Sequence, residues 1–204
     1  MAIPENLQAG RGGIKAICFD AFGTVVEIGD KRRPFRTLLR ERPEGDLANV
    51  VLTQALDIRS VAKLLTAELD ENRLVELERD LQAEIASIQM RNGIGEIWEK
   101  LRAEGIRIGL CSNLAMPYGN PLVAALPGKP DALVLSYEVG LAKPDPAIFH
   151  LVCDRLGLSP AEILFVGDTP SADIEGPRKI GMPAMHISEF IARDLADSLE
   201  LAST

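Results

Sequence analysis

The chain has 204 residues, 47% of them apolar and 25% charged, a balance that supports a folded core and leaves little room for extensive disorder. Its formal net charge of -8 excludes a general binder of nucleic acid or anionic membrane, because both partners require a basic surface. No apolar stretch approaches the ~20 residues that span a bilayer, and the start of the chain lacks the features of a signal peptide, so we expect a cytoplasmic protein.

The first predicted strand is the apolar run at residues 14–19, which has glycine before it and Asp20 directly after it. Residues 1–13 form a loose lead-in without periodicity, and we assign them no function. Asp20 therefore stands at the carboxyl end of a buried strand, which is where open α/β sheets keep their chemistry.

The segment at residues 27–90 has a helical pattern. Its clearest sign is a stripe of apolar residues at steps of three and four: Leu74, Leu77, Leu81, Ile85 and Ile88. Two shorter helices are predicted at 46–56 and 60–69, each opened by a residue that suits an N-cap. We therefore predict a small all-helical cap at 27–90, inserted into a core made of 14–26 and 91–204.

Helical and strand patterns alternate after the insertion. The predicted helices lie at 94–103, 120–126, 146–156, 173–180 and 191–201, and the predicted strands at 106–111, 132–136, 163–166 and 184–187. Such alternation implies a parallel sheet with right-handed crossovers. The predicted fold class is α/β, a Rossmann-like parallel sheet flanked by helices, with a small all-helical cap domain.

Polar clusters follow four of the predicted strands. They lie at residues 20–24, 111–113, 140–146 and 167–173. A parallel sheet brings them to one edge, where the Asp20 carboxylate could attack an electrophile and form an ester that water later cleaves. Ser112 could donate a hydrogen bond to a developing oxyanion, and Lys143 lies in a loop stiffened by prolines. Asp168 and Asp173 offer the carboxylate oxygens that Mg²⁺ prefers.

The segment Asp20-Ala21-Phe22-Gly23-Thr24 and the three later clusters resemble the motifs of the haloacid dehalogenase superfamily of hydrolases, over almost the whole chain. The resemblance implies that Asp20 is the nucleophile and that Lys143 steadies both this carboxylate and the substrate. It implies Mg²⁺ as the cofactor, with these ligands: Asp20, the backbone carbonyl of Phe22, Asp168 and, in a more supporting role, Asp173. The residues assigned to the substrate are Thr24, Ser112, Asn113 and Lys143, of which Ser112, Asn113 and Lys143 also have catalytic roles.

Phe22 departs from the phosphatases of this superfamily, which have a second aspartate at this position. That aspartate protonates the leaving group and then activates water, a contribution of ~10²–10⁴ in rate. The 2-haloacid dehalogenases resemble this chain in having an aromatic residue there, because a halide needs no proton. Those enzymes work without metal, however, and their fourth motif resembles Ser-Ser-Asn, whereas this chain has Gly167-Asp168-Thr169.

Three functions stay open on the sequence. We favour a Mg²⁺-dependent phosphatase that acts on a small phosphorylated metabolite through an aspartyl-phosphate on Asp20. The second is a metal-independent 2-haloacid dehalogenase with the same nucleophile, and the third is a catalytically weak ligand-binding protein. Phosphonate-cleaving members of the superfamily also lack the second aspartate, but they require a cap lysine, and Lys63 is the only lysine in the helical part of the cap.

A basic cluster at residues 31–36 stands out in an otherwise acidic chain. Arg33 and Arg36 could clamp a carboxylate or phosphate of the substrate, or the cluster could be a solvated charge run. The expected partner is a small anionic substrate, with neither nucleic acid nor membrane, and the chain is expected to be a monomer or a homodimer.

Overall fold

A five-stranded parallel sheet lies at the centre of the molecule, which a computed structural model describes at residues 13–40, 47–65 and 70–193. The strands are β1 (Ala16–Phe19), β2 (Val26–Ile28), β3 (Ile88–Met90), β4 (Arg107–Ser112), β5 (Ala132–Leu135), β6 (Ile163–Gly167) and β7 (Ala184–His186). The helices are α1 (Pro34–Arg40), α2 (Leu47–Thr53), α3 (Ile58–Leu64), α4 (Glu71–Ala86), α5 (Ile94–Ala103), α6 (Gly119–Ala125), α7 (Ser136–Val139), α8 (Pro146–Leu156) and α9 (Gly176–Arg178).

Some of the predicted elements extend beyond the described residues. Almost all of the lead-in at 1–13 lies outside them, as do parts of the helices predicted at 46–56, 60–69 and 191–201. A final helical segment begins at residue 187 and continues to 193. Within the described residues, no helix has the length and apolar character needed to cross a membrane.

The order of the strands determines where the reactive edge of the sheet lies. The order is β5-β4-β1-β6-β7, and each neighbouring pair is parallel. The chain runs from β1 to β4 and β5 on one side and then to β6 and β7 on the other, so the order reverses between β1 and β6. Ligands of open α/β sheets bind at the carboxyl ends of the strands at such a reversal. Asp20 follows β1 and Asp168 follows β6, and both therefore lie at this point.

Side chains alternate along β1 and build a core on each face of the sheet. Ile17 and Phe19 belong to the apolar cluster on one face, where the ring of Phe19 stacks on Trp98 at a centroid distance of 6.4 Å. Ala16 and Cys18 belong to the cluster on the other face. All three cysteines of the chain are buried and unpaired, as the sequence predicts for thiols that act as small apolar side chains.

The structure confirms the predicted α/β class and most elements after residue 91. Helices α5 and α8 have the predicted bounds, β4 is shifted by one residue, and β5 to β7 differ from their predicted bounds by one residue at the carboxyl end. The regular helix predicted at 173–180 is wrong. A π-helical turn occupies Pro170–Glu175, and α9 has only three residues. Pro177 has no N–H, so it interrupts the ladder of hydrogen bonds between the two, and Gly181 follows soon after with a φ of 79°.

Helices α1 to α4 lie between β2 and β3, and we call residues 34–86 the helical insertion. The prediction that the whole of 27–90 is helical is wrong at both ends, because β2 and β3 pair as an antiparallel ribbon, with Val26 opposite Met90 and Ile28 opposite Ile88. Ile88 therefore leaves the predicted helical stripe and packs across the ribbon instead. The division of the chain into a core and a cap domain stays a prediction.

The helical insertion has an apolar core of its own. Its buried residues include Phe35, Leu38, Val51, Ile58, Val61, Leu77 and Leu81. Ala115 and Tyr118, from the loop after β4, pack into the same cluster. The apolar stripe of α4 therefore packs against α1 and α3. The same cluster connects the insertion to the loop after β4.

A buried carboxylate, that of Glu84, connects the insertion to the segment that enters it. Glu84 is 4% exposed, and its Oε2 accepts a hydrogen bond from the backbone N–H of Arg33 at 2.7 Å. Arg33 has a φ of 58°, which is uncommon for a residue other than glycine. The hydroxyl of Tyr118 also bonds to Glu84, and burial together with this negative charge raises the pKa of Tyr118 above its usual range. Glu84 thus joins α4, the start of α1 and the loop after β4.

We predict that Glu84→Ala lowers the free energy of unfolding by about 1–3 kcal/mol, because it leaves the N–H of Arg33 and the hydroxyl of Tyr118 without their acceptor. Urea denaturation of the two proteins measures the change. The matched control is Glu76→Ala on the same helix, whose exposed ion pair with Arg73 contributes about 0–1 kcal/mol. Equal losses in the two variants would contradict the assigned role of Glu84.

Candidate active site at the strand ends

A buried lysine lies between two aspartates at the carboxyl edge of the sheet. The Nζ atom of Lys143 donates hydrogen bonds to Oδ1 of Asp20 and to Oδ1 of Asp173, each at 2.7 Å. The Lys143 side chain is 2% exposed, and those of Asp20 and Asp173 are 10% and 1% exposed. Separation of a buried ion pair leaves an uncompensated charge, which costs free energy. The ammonium and the two carboxylates therefore stay in contact.

Burial and charge act in opposite directions on these groups. Burial raises the pKa of Asp20 to about 6, although the ammonium of Lys143 opposes the rise. For Lys143, burial alone would lower the pKa, but nearby negative groups, Asp20 first among them, outweigh it and hold the pKa above its usual range. Lys143 is therefore a permanent cation beside the candidate nucleophile.

Both carboxylate oxygens of Asp173 are engaged by the protein. Oδ1 accepts from Lys143, and Oδ2 accepts from the backbone N–H groups of Asp168 at 3.1 Å and Thr169 at 2.9 Å. Gly167 leaves room for this arrangement, because a Cβ at that position would lie 2.5 Å from the Asp173 side chain. Asp173 therefore shapes the loop after β6 and orients the lysine.

The carboxylates at this edge suit a hard divalent cation. One oxygen from each of Asp20, Asp168 and Asp173 lies within 4.8 Å of the other two. Mg²⁺ takes carboxylate and carbonyl oxygens together with water. The carbonyl of Phe22 accepts no hydrogen bond from the part of the chain that the structure describes. The donor set therefore fits Mg²⁺, with Asp20, Asp168 and the Phe22 carbonyl as the groups least engaged elsewhere.

Gly23 permits the close approach of the loop after β1 to the loop after β6. Its φ of 88° lies in the left-handed region, and a Cβ there would lie 2.3 Å from Oδ2 of Asp168. Arg91 donates a hydrogen bond to the Gly23 carbonyl at 2.6 Å. Two features therefore require glycine at position 23: the left-handed φ and the short distance to the Asp168 side chain.

Asn113 holds the loop that contains Lys143. Its Nδ2 donates to the Lys143 carbonyl, and its Oδ1 accepts from the Lys143 N–H, both at 2.8 Å. The sequence assigns this side chain to catalysis and to the substrate. The geometry gives it a positioning role toward Lys143, because its acceptor and one of its donors are engaged with that backbone, and its assignment to catalysis and the substrate stays a prediction.

Ser112 and Thr24 are both buried next to the candidate nucleophile. Ser112 is the last residue of β4 and is 1% exposed, so it lies at the same edge as Asp20. The hydroxyl of Thr24 points to Oδ2 of Asp20 at 3.5 Å, which is longer than an ordinary O–H···O hydrogen bond. Their contacts with a substrate stay predictions.

Phe22 presents an aromatic ring where the phosphatases have a carboxylic acid. The ring packs edge to face against Tyr118, with the centroids 5.9 Å apart and the planes at 80°. It also borders two neighbouring cavities of about 590 Å³ and about 400 Å³. The side chain therefore has a packing role, and the acid–base group is absent from this position.

The larger cavity, which we call the insertion cavity, lies between the helical insertion and the loops after β1 and β4. Arg33 and Arg36, the two arginines that the sequence assigns to the substrate, both border it. The smaller cavity is bordered by Asp168 and Gly23, and by Lys31 and Glu84. Phe22, Ile28 and Arg33 border both cavities.

Three further residues near the site are not among the sequence predictions. Arg40 and Tyr118 border the insertion cavity, and Glu84 borders the smaller one. Arg40 follows Arg33 and Arg36 at helical spacing, which is a signal in the sequence, whereas nothing local marks the other two. Lys63, the lysine considered for imine chemistry, is exposed on α3 and borders neither cavity.

The sequence motifs, the sheet order and the carboxylate cluster agree with a comparison against protein families. The family model of haloacid dehalogenase-like hydrolases matches residues 14–181. The chain belongs to this family of hydrolases.

Curated relatives include both reactions considered above. The chain is 27% identical over 198 residues to (S)-2-haloacid dehalogenase 4A of Burkholderia cepacia, a match that covers 86% of this chain and 83% of the relative. It is 34% identical over 90 residues to phosphoglycolate phosphatase of Escherichia coli K12, covering 43% of this chain and 35% of the relative. The chain thus spans about a third of that phosphatase and most of the dehalogenase.

Solved structures share the fold. A HAD family enzyme from Bacteroides thetaiotaomicron, in complex with magnesium and inorganic phosphate, is 18% identical with a TM-score of 0.61, covering 85% of this chain and 94% of that one. A dehalogenase with an intermediate complex is 23% identical with a TM-score of 0.60, covering 84% and 83%. At these identities the likeness establishes the fold and leaves the reaction open.

We predict that Gly23→Ala weakens Mg²⁺ binding by about 10–100-fold, because its Cβ displaces the Asp168 carboxylate. Isothermal titration calorimetry with MgCl₂ measures the affinity. Gly93→Ala is the matched control: Gly93 has a φ of 82°, but a Cβ added there would meet no atom within 4 Å, so it carries the same backbone strain of about 1–2 kcal/mol without the contact. Equal Mg²⁺ affinities in the two variants would contradict the contact argument.

Proposed function

We propose that the chain is a Mg²⁺-dependent phosphatase that hydrolyses a small phosphorylated metabolite through an aspartyl-phosphate on Asp20. The observation that carries the proposal is the cluster of three carboxylates at the strand reversal, because Asp168 adds a cation ligand that a metal-independent dehalogenase does not need. The buried ammonium of Lys143 supports it, since a fixed cation beside the nucleophile also favours an anionic substrate.

The proposed reaction has two displacements at phosphorus. In the first, a carboxylate oxygen of Asp20 bonds to phosphorus while the bond from phosphorus to the substrate oxygen breaks, and the departing oxygen takes a proton from water. In the second, water attacks the aspartyl-phosphate, inorganic phosphate leaves, and the Asp20 carboxylate is restored. Lys143 stabilises the negative charge that develops next to Asp20 in both steps. Ser112 is the proposed hydrogen-bond donor to a phosphoryl oxygen.

Asp20, the Phe22 carbonyl and Asp168 would hold Mg²⁺, with Asp173 in support, and the bound ion would supply Lewis-acid neutralisation of phosphoryl charge. We propose further that residues 27–90 act as a cap that covers the strand ends and contributes Arg33 and Arg36 to the substrate site. The two cavities at the junction of the insertion and the strand ends support this arrangement.

A 2-haloacid dehalogenase is the second candidate, and two observations favour it. Phe22 lacks the acid that an alcohol leaving group benefits from, and the dehalogenase relative matches most of the chain. In that reaction Asp20 would displace a halide from carbon, and water would then cleave the resulting ester.

The substrate hydrolysed and the effect of a chelator separate these candidates, and Asp20→Asn tests the nucleophile that they share. We expect wild-type protein with Mg²⁺ to release phosphate from phosphomonoesters, and the variant to lose about 10³-fold or more of that rate because an amide is a poor nucleophile. Chelation of Mg²⁺ should abolish the release. Asp154→Asn, an exposed aspartate on α8, is the control that should keep wild-type activity.

Halide release from 2-haloacids that persists with chelator, in the absence of any phosphate release, would replace the phosphatase proposal by the dehalogenase. Loss of the rate in Asp154→Asn as well would show that the assay reports folding rather than chemistry.

The missing acid at position 22 gives a second kinetic prediction. The wild type should hydrolyse p-nitrophenyl phosphate, whose leaving group needs no proton, much faster than an alkyl phosphate. Phe22→Asp should raise kcat for the alkyl phosphate, by up to about 10²-fold, and change kcat for p-nitrophenyl phosphate much less. A parallel rise for both substrates, or none for the alkyl phosphate in a variant with wild-type Tm, would contradict the account of Phe22.

A further inference from the structure

The insertion cavity is large and its walls are mainly apolar. Its volume is about 590 Å³, in the range of small-molecule sites. The apolar walls include Phe35, Leu39, Val51, Leu52, Leu114 and Tyr118. They come from α1, from α2 and from the loop after β4, so the cavity is formed jointly by the insertion and the sheet edge.

The polar side chains that border the insertion cavity are mainly hydrogen-bond donors. Asn113 uses its acceptor and one donor on the backbone of Lys143, and the hydroxyl of Tyr118 is bonded to Glu84. Among the described residues that border the cavity, the remaining polar side chains are three arginines, Arg33, Arg36 and Arg40. Guanidinium groups donate and do not accept, so they can bind the hydroxyl oxygens of a sugar or polyol but offer no acceptor to its O–H protons.

The three arginines form one cationic face. Arg36 and Arg40 are four residues apart in α1, so the helical repeat places them on one side of that helix. Arg33, whose φ of 58° is not helical, borders the same cavity. No carboxylate of the described residues forms an ion pair with any of the three. Arg32, by contrast, lies outside the cavity and pairs with Asp30 at 2.8 Å and Asp80 at 3.0 Å. Among the described residues, the guanidinium groups that border the cavity therefore differ from that of Arg32 in having no carboxylate in an ion pair.

The insertion cavity adjoins the reactive centre through two of its bordering residues. Phe22, which borders it, is two residues after Asp20, and Asn113, which also borders it, is hydrogen-bonded to the backbone of Lys143. A substrate whose reacting group is at Asp20 therefore has the insertion cavity as the space for its remaining atoms.

We infer that the substrate carries an apolar body, aryl or alkyl, that fills the insertion cavity, and a second anionic group that binds the face of Arg33, Arg36 and Arg40. This inference rests on the proposed function in that it names the substrate class of the same site. It makes sugar and polyol phosphates poorer substrates, because their hydroxyl groups would lose water against apolar walls while the arginines offer no acceptor to the O–H protons.

Binding of unphosphorylated probes tests the inference without any phosphoryl transfer. The probes are 3-phenylpropionate, which has the apolar body and the anion, glycerate, which has the anion alone, and 3-phenylpropanol, which has the body alone. NMR titration of the full-length wild type should show 3-phenylpropionate binding about tenfold or more tightly than either of the others. Equal affinities for 3-phenylpropionate and glycerate would overturn the inference.

Matched substitutions locate the binding. Arg36→Gln should weaken 3-phenylpropionate about fivefold or more, whereas Arg32→Gln on the outer side should leave it unchanged. Leu52→Asn in the cavity wall should weaken it similarly, whereas Leu64→Asn, at an exposed position on α3, should not. Equal effects within either pair would show binding elsewhere and overturn the inference.

Hydrolysis separates failure of the inference from failure of the proposed function. Phosphate release at equal kcat/KM from glycerol 3-phosphate and from 3-(4-carboxyphenyl)propyl phosphate would keep the phosphatase proposal and reject the substrate class. If neither compound releases phosphate but the probes bind as expected, the phosphatase proposal is rejected. The inference that the ligand has an apolar body and an anionic group is then kept. A preference of about tenfold or more for the carboxyphenyl compound supports both.

Discussion

The buried ammonium of Lys143 is the interaction on which the rest of the site depends. Asp20 and Asp173 come from the ends of different strands, and two carboxylates in a dry site would repel each other without a cation between them. Asn113 fixes the backbone of the lysine, and Asp173 fixes the backbone of the loop after β6. Four separate loops therefore share one electrostatic arrangement, and each is held by a partner remote in sequence.

The site combines two features that the family usually keeps apart. The carboxylates that suit a hard cation are present, but an aromatic ring replaces the acid that usually accompanies them. That ring packs on Tyr118 and forms part of the wall of the insertion cavity. Position 22 therefore has apolar surface where a proton donor would stand, so the same side chain bears on both the proposed chemistry and the proposed ligand.

Much of the core and its site is predictable from the sequence, because parallel strands place their carboxyl ends at one edge whatever the distance along the chain. Asp20 and Asp168 each follow a strand and obey that rule, whereas Lys143, which α7 separates from β5, is indicated by the resemblance of its motif to the family. The ribbon of β2 and β3 escapes prediction, since three-residue strands show no period and pair 60 or more residues apart. The partners of Asn113 and Glu84 escape as well, because an amide or carboxylate has no periodic signal and finds its donors only in the folded chain.

The ribbon of β2 and β3 also constrains how the molecule can move. Both covalent crossings between the sheet and the helical insertion run side by side through three paired residues on each strand. Two strands that are hydrogen-bonded to each other cannot separate without loss of that pairing. The entry and the exit of the helical insertion are therefore held at one place beside the loop after β1, and a displacement of the insertion relative to the sheet has to carry both strands together.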